Sequence, residues 1–322
     1  MNKNRRIVFY GTPDFAVSSL SALVENGYNI VGVVTSVDKP AGRGYKIQYS
    51  KVKEYALEKG LNLLQPKSLK SLEFIEELKA LDVELQIVVA FRMMPKEVYS
   101  LPKYGTFNLH GSLLPKYRGA APIHWAVING EKETGLTTFL LNDKIDEGEI
   151  IFQYKTSIAK EETTGELYQR LMDNSGELVL QTLEAIFNQN YTPIPQSSLN
   201  VEPCLAPKLT KENTRIDWSK KGEEIVNFIR GLCPFPCANT SFIGLETQKR
   251  LDFKVFKGVF IENKEKKNSG ILDFCNNEEI RVSCQNGYVQ IVDLQISGKR
   301  RMSDKEFLRG AKLNESFIEI DK

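Results

Sequence analysis

The first half of the chain alternates short β-branched runs with stretches of helical periodicity, and this alternation limits the fold more than any other feature. Strand and helix patterns that follow each other in turn are typical of a parallel sheet covered by helices. We therefore predict an α/β domain with a Rossmann-like, mostly parallel sheet and helices on both faces. The strand candidates are 7–10, 30–35, 61–64, 85–91 and 106–109, and the helix candidates are 13–26, 50–60, 68–81 and 95–100.

The pattern of the chain changes after residue 188. Residues 189–207 carry four prolines and no periodicity, which is typical of a linker. A helix at 222–232 is followed by five short β-rich runs, and Gln285-Asn286-Gly287 between two of them favours a hairpin turn. We predict an α/β domain over 1–188, a linker over 189–207, and a smaller C-terminal β-barrel of OB-like type over 208–322.

Composition narrows the class of protein. Hydrophobic residues make up 41% and charged residues 26%, as in soluble globular proteins. No apolar run approaches the roughly 20 residues of a membrane span. The basic start, Met1 to Arg6, is followed by only four apolar residues before Gly11, too few for a secretory signal. We expect a cytoplasmic monomer with no membrane partner.

Two kinds of site are disfavoured by spacing. The five cysteines are an odd number, and no second Cys or His pair accompanies Cys233 and Cys237 at a metal-like spacing. We therefore predict no metal. Gly11 stands where a dinucleotide-binding protein begins its G-x-G-x-x-G motif, but Pro13 and Ala16 replace the later glycines. A nicotinamide cofactor is disfavoured for that reason.

Asn108 and His110 lie two residues apart at the end of a predicted strand. Alternation along a strand puts both side chains on one side, at the carboxyl edge where open α/β sheets bind ligands. A carboxamide beside an imidazole suits oxyanion stabilisation or acid–base work at a carbonyl. Asp143 and Asp146 are both candidates for a carboxylate that favours the charged imidazole. The residues alone indicate an acyl- or carbonyl-handling site.

A set of motifs is spread along the chain. In chain order they are Asp38-Lys-Pro-Ala-Gly-Arg-Gly44, Asn108-Leu-His110-Gly-Ser-Leu-Leu-Pro115, Arg118-Gly-Ala-Ala-Pro122, Thr134-Gly-Leu-Thr137, Asp146-x-Gly148, Thr214-Arg-Ile-Asp-Trp218 and Cys233-Pro-Phe-Pro236. With these motifs the sequence resembles the folate-dependent formyltransferase family, in particular its branch that acts on methionyl-tRNA. Phe91-Arg92-Met93-Met94 departs from the family pattern of an aromatic, a glycine and aliphatics.

The resemblance implies a reaction and roles for particular residues. The formyl group of 10-formyltetrahydrofolate would pass to the α-amino group of methionine on initiator tRNA, with no metal needed. The catalytic residues would be Asn108, His110 and Asp146. The folate-binding loop would consist of Ser112, Leu113, Leu114 and Pro115.

The resemblance also implies a tRNA partner. The Gly-rich loop 36–49 is the candidate arm, because its Lys39, Arg43 and Lys46 suit phosphate pairing and base stacking. The C-terminal domain carries more Lys and Arg than Asp and Glu, and Lys299-Arg300-Arg301 is its densest basic run. We expect this domain to hold the tRNA backbone electrostatically.

Two other classes of function stay open. A folate-dependent formyltransferase or hydrolase acting on a small-molecule amine would share Asn108, His110 and Asp146, but it would not need the basic arm or the basic barrel. A non-enzymatic RNA-binding module would use the barrel alone. It would leave the ordered motifs around Asn108 without a purpose.

Overall fold

The computed structural model describes residues 3–41, 46–263, 268–274, 278–310 and 317–320. The chain forms two compact units, each assembled from three separate stretches. Unit 1 comprises Met1–Pro122, Thr134–Thr156 and Tyr168–Ala206, and unit 2 comprises Ile123–Glu133, Ser157–Leu167 and Pro207–Lys322. The predicted boundaries at 188 and 208 stay a prediction.

Up to residue 206 the described chain contains eleven strands, six α-helices and one short 3₁₀ turn. In chain order these are β1 (Ile7–Gly11), α1 (Asp14–Glu25), β2 (Ile30–Val34), β3 (Lys39–Ala41), β4 (Lys46–Gln48), α2 (Lys51–Glu58), β5 (Leu63–Leu64), α3 (Leu72–Ala80), β6 (Leu85–Val89), α4 (Lys96–Tyr99), β7 (Thr106–His110), β8 (Arg118–Gly119), α5 (Pro122–Ile128), β9 (Glu133–Leu140), β10 (Ile150–Ser157), α6 (Thr164–Asn188), the 3₁₀ turn Gln196–Ser198 and β11 (Leu205–Ala206).

Seven of these strands form one sheet in the order β10-β9-β7-β6-β1-β2-β5. The five strands from β7 to β5 run parallel, and β9 is antiparallel to β7. On one face Val8 and Tyr10 pack in a cluster with Phe74 of α3. On the other face Thr138 of β9 is hydrogen-bonded to Thr182 of α6 at 2.9 Å. The predicted parallel-rich sheet with helices on both faces is confirmed.

Strand β7 brings the site residues to the edge of this sheet. It lies between β6 and β9, with Asn108 opposite Val88 and His110 opposite Thr137. Every residue of β6 is buried, which fits its run of Leu, Ile and Val. The polar end of β7 therefore lies beside a strand that is buried along its whole length.

Unit 2 contains the predicted barrel. Its later elements are α7 (Gly222–Leu232), β12 (Ala238–Gly244), β13 (Arg250–Glu262), β14 (Ile271–Asp273), β15 (Ile280–Cys284), β16 (Gly287–Ile296), β17 (Met302–Ser303), α8 (Asp304–Gly310) and β18 (Phe317–Glu319). The strand order β13-β12-β18-β14-β15-β16 closes through pairing of β13 with β16, which confirms a small antiparallel barrel. Its core contains the fully buried Trp218, whose indole N–H donates to Thr240 Oγ1 at 2.9 Å. As predicted, Gln285 and Asn286 form the turn between β15 and β16.

Two parts of the segment predicted as a loop over 36–49 form short strands. Strands β3 and β4 pair antiparallel, with Lys39 opposite Gln48 and Ala41 opposite Lys46. The predicted loop is therefore corrected at 39–41 and 46–48, where the backbone is paired. Arg43 lies outside the described residues. In the part of the chain that is described, no helix has both the length and the apolarity needed to cross a bilayer.

A capping box at the start of α6 gives a testable stability effect. Glu166 Oε2 accepts from the Thr163 backbone N–H at 2.8 Å, and Thr163 Oγ1 accepts from the Glu166 N–H at 3.3 Å. The donation from the Thr163 backbone N–H to the carboxylate, followed by that from the Thr163 hydroxyl at 2.8 Å, holds the pKa of Glu166 below its usual value. We expect Thr163→Ala to lower the free energy of unfolding by about 1 kcal/mol at pH 7.

The pH dependence of that loss has a definite sign. A carboxylate with a lowered folded-state pKa stabilises the fold above its unfolded pKa, and this stabilisation disappears as the pH falls through the folded value. Urea unfolding of wild type and Thr163→Ala at pH 7 and at low pH measures the difference. A penalty that grows toward low pH would contradict this account.

Candidate active site

The side chains of Asn108 and His110 point to the same face of β7. This is the face that also carries Val88 and Phe139, because these two residues lie directly opposite Asn108 on the flanking strands. Asn108 is half-buried, whereas His110 is only 6% exposed. The structure thus places a carboxamide and an imidazole side by side at the carboxyl end of a buried strand.

The His110 ring is held by a backbone carbonyl. Its Nε2 lies 2.8 Å from the Tyr117 carbonyl oxygen, and because a carbonyl can only accept, Nε2 carries a proton. The other ring nitrogen, Nδ1, lies 3.8 Å from Asp146 Oδ2. That distance is too long for a direct hydrogen bond but short for a charge interaction. The Tyr117 carbonyl therefore orients the ring, and the Asp146 carboxylate lies within the range of a charge interaction with it.

Asp146, rather than Asp143, is the carboxylate that faces the imidazole. Asp143 binds Tyr99 and lies 3.4 Å from Lys96, and these contacts lower its pKa. The hydrogen bond to Asp143 raises the pKa of Tyr99 to about 12. Asp146 Oδ2 instead accepts from the backbone N–H of Gly119 at 2.8 Å. The choice left open by spacing is resolved by these contacts.

The loop that follows β7 is fastened at several points. Ser112 Oγ donates to the Lys116 carbonyl at 2.6 Å. Thr137 Oγ1 donates to the Ser112 carbonyl at 2.6 Å and accepts from the Leu114 N–H at 3.1 Å. Gln153 Nε2 donates to the Leu114 carbonyl at 2.9 Å. The predicted folate-binding loop Ser112–Pro115 is therefore a rigid feature of the site edge.

A glycine allows this loop to lie close to the sheet. A Cβ on Gly135 would lie 2.7 Å from Leu113 Cδ2 and 1.9 Å from the Tyr154 carbonyl oxygen, so no side chain fits there. Pro115 is buried and Leu113 half-buried. The Thr134-Gly-Leu-Thr137 motif thus supports the loop in two ways: Gly135 leaves space for Leu113, and the Thr137 hydroxyl hydrogen-bonds to the loop backbone.

Some residues of the site gave no usable sequence signal. Gln153 and Gln196 are single glutamines, one within a strand and one in the non-periodic segment 189–207. Gln196 donates to the carbonyls of Asp146 and Gly148, and it accepts from Arg118. By contrast, Thr137, a partner of Gln153, and Arg118, a partner of Gln196, both lie within motifs that carry the family resemblance.

The residues that depart from the family pattern divide between core and surface. Phe91 contacts Tyr10 with ring centroids 5.6 Å apart and ring planes tilted by 60°, and Met94 is buried in the same cluster. Arg92 donates to the Pro66 carbonyl at 2.6 Å, whereas Met93 is largely exposed. The Phe-Arg-Met-Met segment is thus anchored by its first, second and fourth residues.

The side chains predicted to contact tRNA differ in exposure and in whether a carboxylate already pairs with them. Lys39 and Lys299 are exposed. Arg300 forms an ion pair with Glu306 at 2.8 Å, and Arg301 pairs with Asp293 at 2.5 Å while stacking on Phe256. Much of the basic run is therefore already neutralised by neighbouring carboxylates.

The second histidine belongs to unit 2. His124 lies in α5, and its Nε2 donates to the Phe235 carbonyl at 3.1 Å. Burial lowers the pKa of His124, and this hydrogen bond opposes the shift only in part. A neutral imidazole with a backbone partner suits a structural role. Among the described residues, no cluster of three or more His, Cys, Asp or Glu side chains is arranged to hold a metal ion.

Comparison with protein families decides the kinship of the chain. Residues 5–183 match the formyl transferase family, and residues 208–312 match the formyl transferase C-terminal domain. The chain belongs to the formyl transferase family. The resemblance inferred from the motifs is confirmed.

Formyl transferases of known name are similar along almost the whole chain. A methionyl-tRNA formyltransferase of Flavobacterium johnsoniae is 49% identical over 95% of this chain and 96% of its own length. A methionyl-tRNA formyltransferase of Bacteroides thetaiotaomicron is 47% identical over 97% of both chains. Among solved structures, an N-formyltransferase from Helicobacter canadensis superposes with a TM-score of 0.63 over 92% of this chain and 100% of its own, at 22% identity. That last likeness shows the fold.

A formyl transferase site of this geometry suits attack on a carbonyl carbon. The Asn108 carboxamide supplies a neutral N–H donor, and His110 supplies an imidazole whose Nδ1 faces a carboxylate. Near-complete burial of His110 weakens solvent screening, which strengthens its electrostatic interactions. The set provides an oxyanion donor, a proton carrier and a negative charge behind it.

Proposed function

We propose that this chain transfers the formyl group of 10-formyltetrahydrofolate to the α-amino group of methionine on initiator methionyl-tRNA, for translation initiation. The main support is the 47–49% identity, over nearly the full length of both chains, to relatives named methionyl-tRNA formyltransferase. The arrangement of Asn108, His110 and Asp146 at one strand end is consistent with this chemistry. The formyl donor is a co-substrate, and no metal takes part.

The first half of the reaction forms a carbon–nitrogen bond. The neutral α-amine attacks the formyl carbon, and the carbonyl oxygen takes up negative charge. The Asn108 N–H donates to this oxygen, and the charged His110 ring stabilises it as well. The negative charge of Asp146, whose Oδ2 lies 3.8 Å from Nδ1, complements positive charge on this ring.

The second half breaks the bond between the formyl carbon and the folate nitrogen. The attacking amine loses one proton, and the departing folate nitrogen gains one, so the reaction needs a proton relay. Because Nε2 of His110 is engaged with the Tyr117 carbonyl, Nδ1 is the ring nitrogen available for this transfer, directly or through a water. Ser112–Pro115 would line the folate site.

The remaining assignments complete the proposal. Residues 1–188 would form the formyltransferase domain, 189–207 the connection, and 208–322 the tRNA-binding domain. Lys39, Arg43 and Lys46 would contact the acceptor end, and Lys299, Arg300 and Arg301 the tRNA backbone. The protein would act as a monomer in the cytoplasm, without a membrane partner.

A substrate comparison tests the proposal directly. The purified protein is given 10-formyltetrahydrofolate with methionyl-tRNA, uncharged tRNA, free methionine or an amino-sugar nucleotide. We expect formyl transfer to methionyl-tRNA alone. Transfer to the small amine and none to methionyl-tRNA would replace this function with the small-molecule alternative.

The exposed Lys299 gives a separate prediction for tRNA binding. Its charge is more available to phosphate than that of Arg301, which is paired with Asp293. Lys299→Ala should weaken tRNA binding and reduce the slope of log K against log salt by about 1. Filter binding at several salt concentrations measures this slope, with Lys70→Ala, at an exposed position before α3, as a matched surface control. Equal slopes for Lys299→Ala and wild type would remove Lys299 from the interface.

A further inference from the structure

We propose that Gln196, from the segment predicted as a linker, is a positioning residue that holds Asp146 in place for formyl transfer. This inference rests on the proposed function, because it assigns Asp146 a role in that reaction. Its physical basis is a hydrogen-bond arrangement within unit 1 that fixes both the backbone and the carboxylate of Asp146.

Gln196 gives both of its N–H groups to the turn that carries Asp146. Nε2 donates to the carbonyl oxygens of Asp146 and Gly148, each at 2.9 Å. Gln196 is only 5% exposed, so water does not compete well for these hydrogen bonds. The carboxamide therefore fastens the turn on both sides of Glu147.

The turn needs such a fastening because its backbone is strained. Asp146 has φ 54°, in the left-handed region that costs a residue with a side chain about 1 kcal/mol or more. Gly148 has no room for a side chain, since a Cβ would lie 1.6 Å from the Leu140 carbonyl oxygen. A conformation of this kind persists only where the surroundings hold it.

The acceptor end of Gln196 is fixed as well. Arg118 donates to Gln196 Oε1 from Nε at 3.1 Å and from Nη2 at 2.7 Å, and its Nη1 lies 3.2 Å from Glu147 Oε1. The next residue, Gly119, donates its backbone N–H to Asp146 Oδ2. Arg118 thus orients the amide of Gln196, while its neighbour holds the Asp146 carboxylate.

These contacts join two strands that the sequence did not predict. Strand β8 contains Arg118 and Gly119, and it pairs with β11, whose Ala206 lies opposite Gly119. Residues 189–207 therefore supply a strand partner for β8 and the Gln196 side-chain amide that binds the turn around Asp146. Loss of these amide hydrogen bonds should let the Asp146 carboxylate move relative to His110.

Such a displacement has a specific kinetic consequence. A misplacement of about 1 Å in a catalytic group can cost roughly 10²-fold in rate. We expect Gln196→Met, which has a similar length and no hydrogen bonds at its tip, to lower kcat by about 10–100-fold. KM for the folate should change little, because Ser112–Pro115 is fastened separately by Thr137 and Gln153.

A double-mutant cycle separates positioning from general destabilisation. Single-turnover formylation of methionyl-tRNA is measured for wild type, Gln196→Met, Asp146→Asn and the double variant. If Gln196 acts through Asp146, Gln196→Met costs less than about 2-fold in the Asp146→Asn background. The same fold loss in both backgrounds, or no loss in the wild-type background, would overturn the inference.

Controls keep the test independent of folding. Gln169→Met makes the same substitution on the exposed surface of α6, where Gln169 donates to Asp173 one turn away, and activity should stay within about 2-fold. If Gln196→Met does not fold, Arg118→Lys replaces it. That variant keeps the positive charge near Glu147 but loses the paired donation to Gln196. Non-additivity with Asp146→Asn is expected again, and additivity would again contradict the proposal.

A structural measurement tests the inference without any assay. Crystal structures of wild type and Gln196→Met give the distance from His110 Nδ1 to Asp146 Oδ2, which should differ in the variant. An unchanged turn would overturn the inference even if the proposed function holds. A wild-type protein that fails to formylate methionyl-tRNA would instead contradict the function and leave this measurement valid.

Discussion

Replacing Asn108 by Ala should lower kcat by roughly 10²–10³ while the protein stays folded, because removing one preorganised oxyanion donor typically has that effect. Asn108 is half-buried at the end of β7, and its backbone pairs with Val88 and Phe139 on either side. These backbone pairings survive the substitution. The loss should therefore fall on the chemical step rather than on the strand.

Single-turnover kinetics with saturating 10-formyltetrahydrofolate and methionyl-tRNA measure the effect. Asn108→Asp is the informative companion, because it keeps the size of the side chain but replaces the N–H donor with a negative charge. It should lose at least as much activity as Asn108→Ala. Asn190→Ala, at an exposed position after α6, serves as the matched control and should stay within about 2-fold. Near-normal turnover in a folded Asn108→Ala protein would remove Asn108 from the mechanism.

The elements that carry Asn108 were predictable from sequence because they combine regular periodicity with strong burial. All five residues of β1 and all five of β6 are buried, and runs of this kind are typical of a sheet covered on both faces. Once the strand end at 106–109 is recognised, alternation puts Asn108 and His110 on one side. The position of the site followed from these local patterns.

The supports of the site could not be predicted in the same way. The His110 ring is oriented by the Tyr117 carbonyl, and the Asp146 carboxylate is held by the Gly119 N–H. Every residue type offers such backbone groups, so they leave no trace in a sequence. Gln196 is one of several polar residues between Pro195 and Pro203, and it reaches the site through tertiary pairing of its segment, with Ile194 bridged to Ile150 and β11 paired with β8.

The basic run at 299–301 shows a similar limit. Its three charges are adjacent in sequence, but two of them meet carboxylates from Asp293 and Glu306 in the folded structure. Counting charge along the chain measures total charge and not the part left available to a partner. Of these three side chains, Lys299 therefore carries the sharper prediction for tRNA binding.

Asp146→Asn should lower kcat by roughly 10²–10³, a factor comparable to that expected for Asn108→Ala, through loss of the carboxylate charge alone. Two unit charges about 4 Å apart interact by about 4 kcal/mol at the effective dielectric of 20 typical of protein sites, and each 1.36 kcal/mol of barrier is tenfold in rate. The carboxylate lies 3.8 Å from His110 Nδ1, and both side chains are largely buried. The asparagine oxygen can still accept from the Gly119 N–H, so the turn keeps its shape.

The turn itself supplies the matched control for this prediction. Asp143→Asn removes the same charge three residues earlier, from a carboxylate that contacts Tyr99 and Lys96 instead of the imidazole. Its activity should stay within about 2-fold of wild type, because a largely exposed charge pair contributes little. Parallel kcat measurements compare the two variants. If they lost equal activity, the net charge of the turn would matter rather than the charge facing His110, and Asp146 would lose its special role.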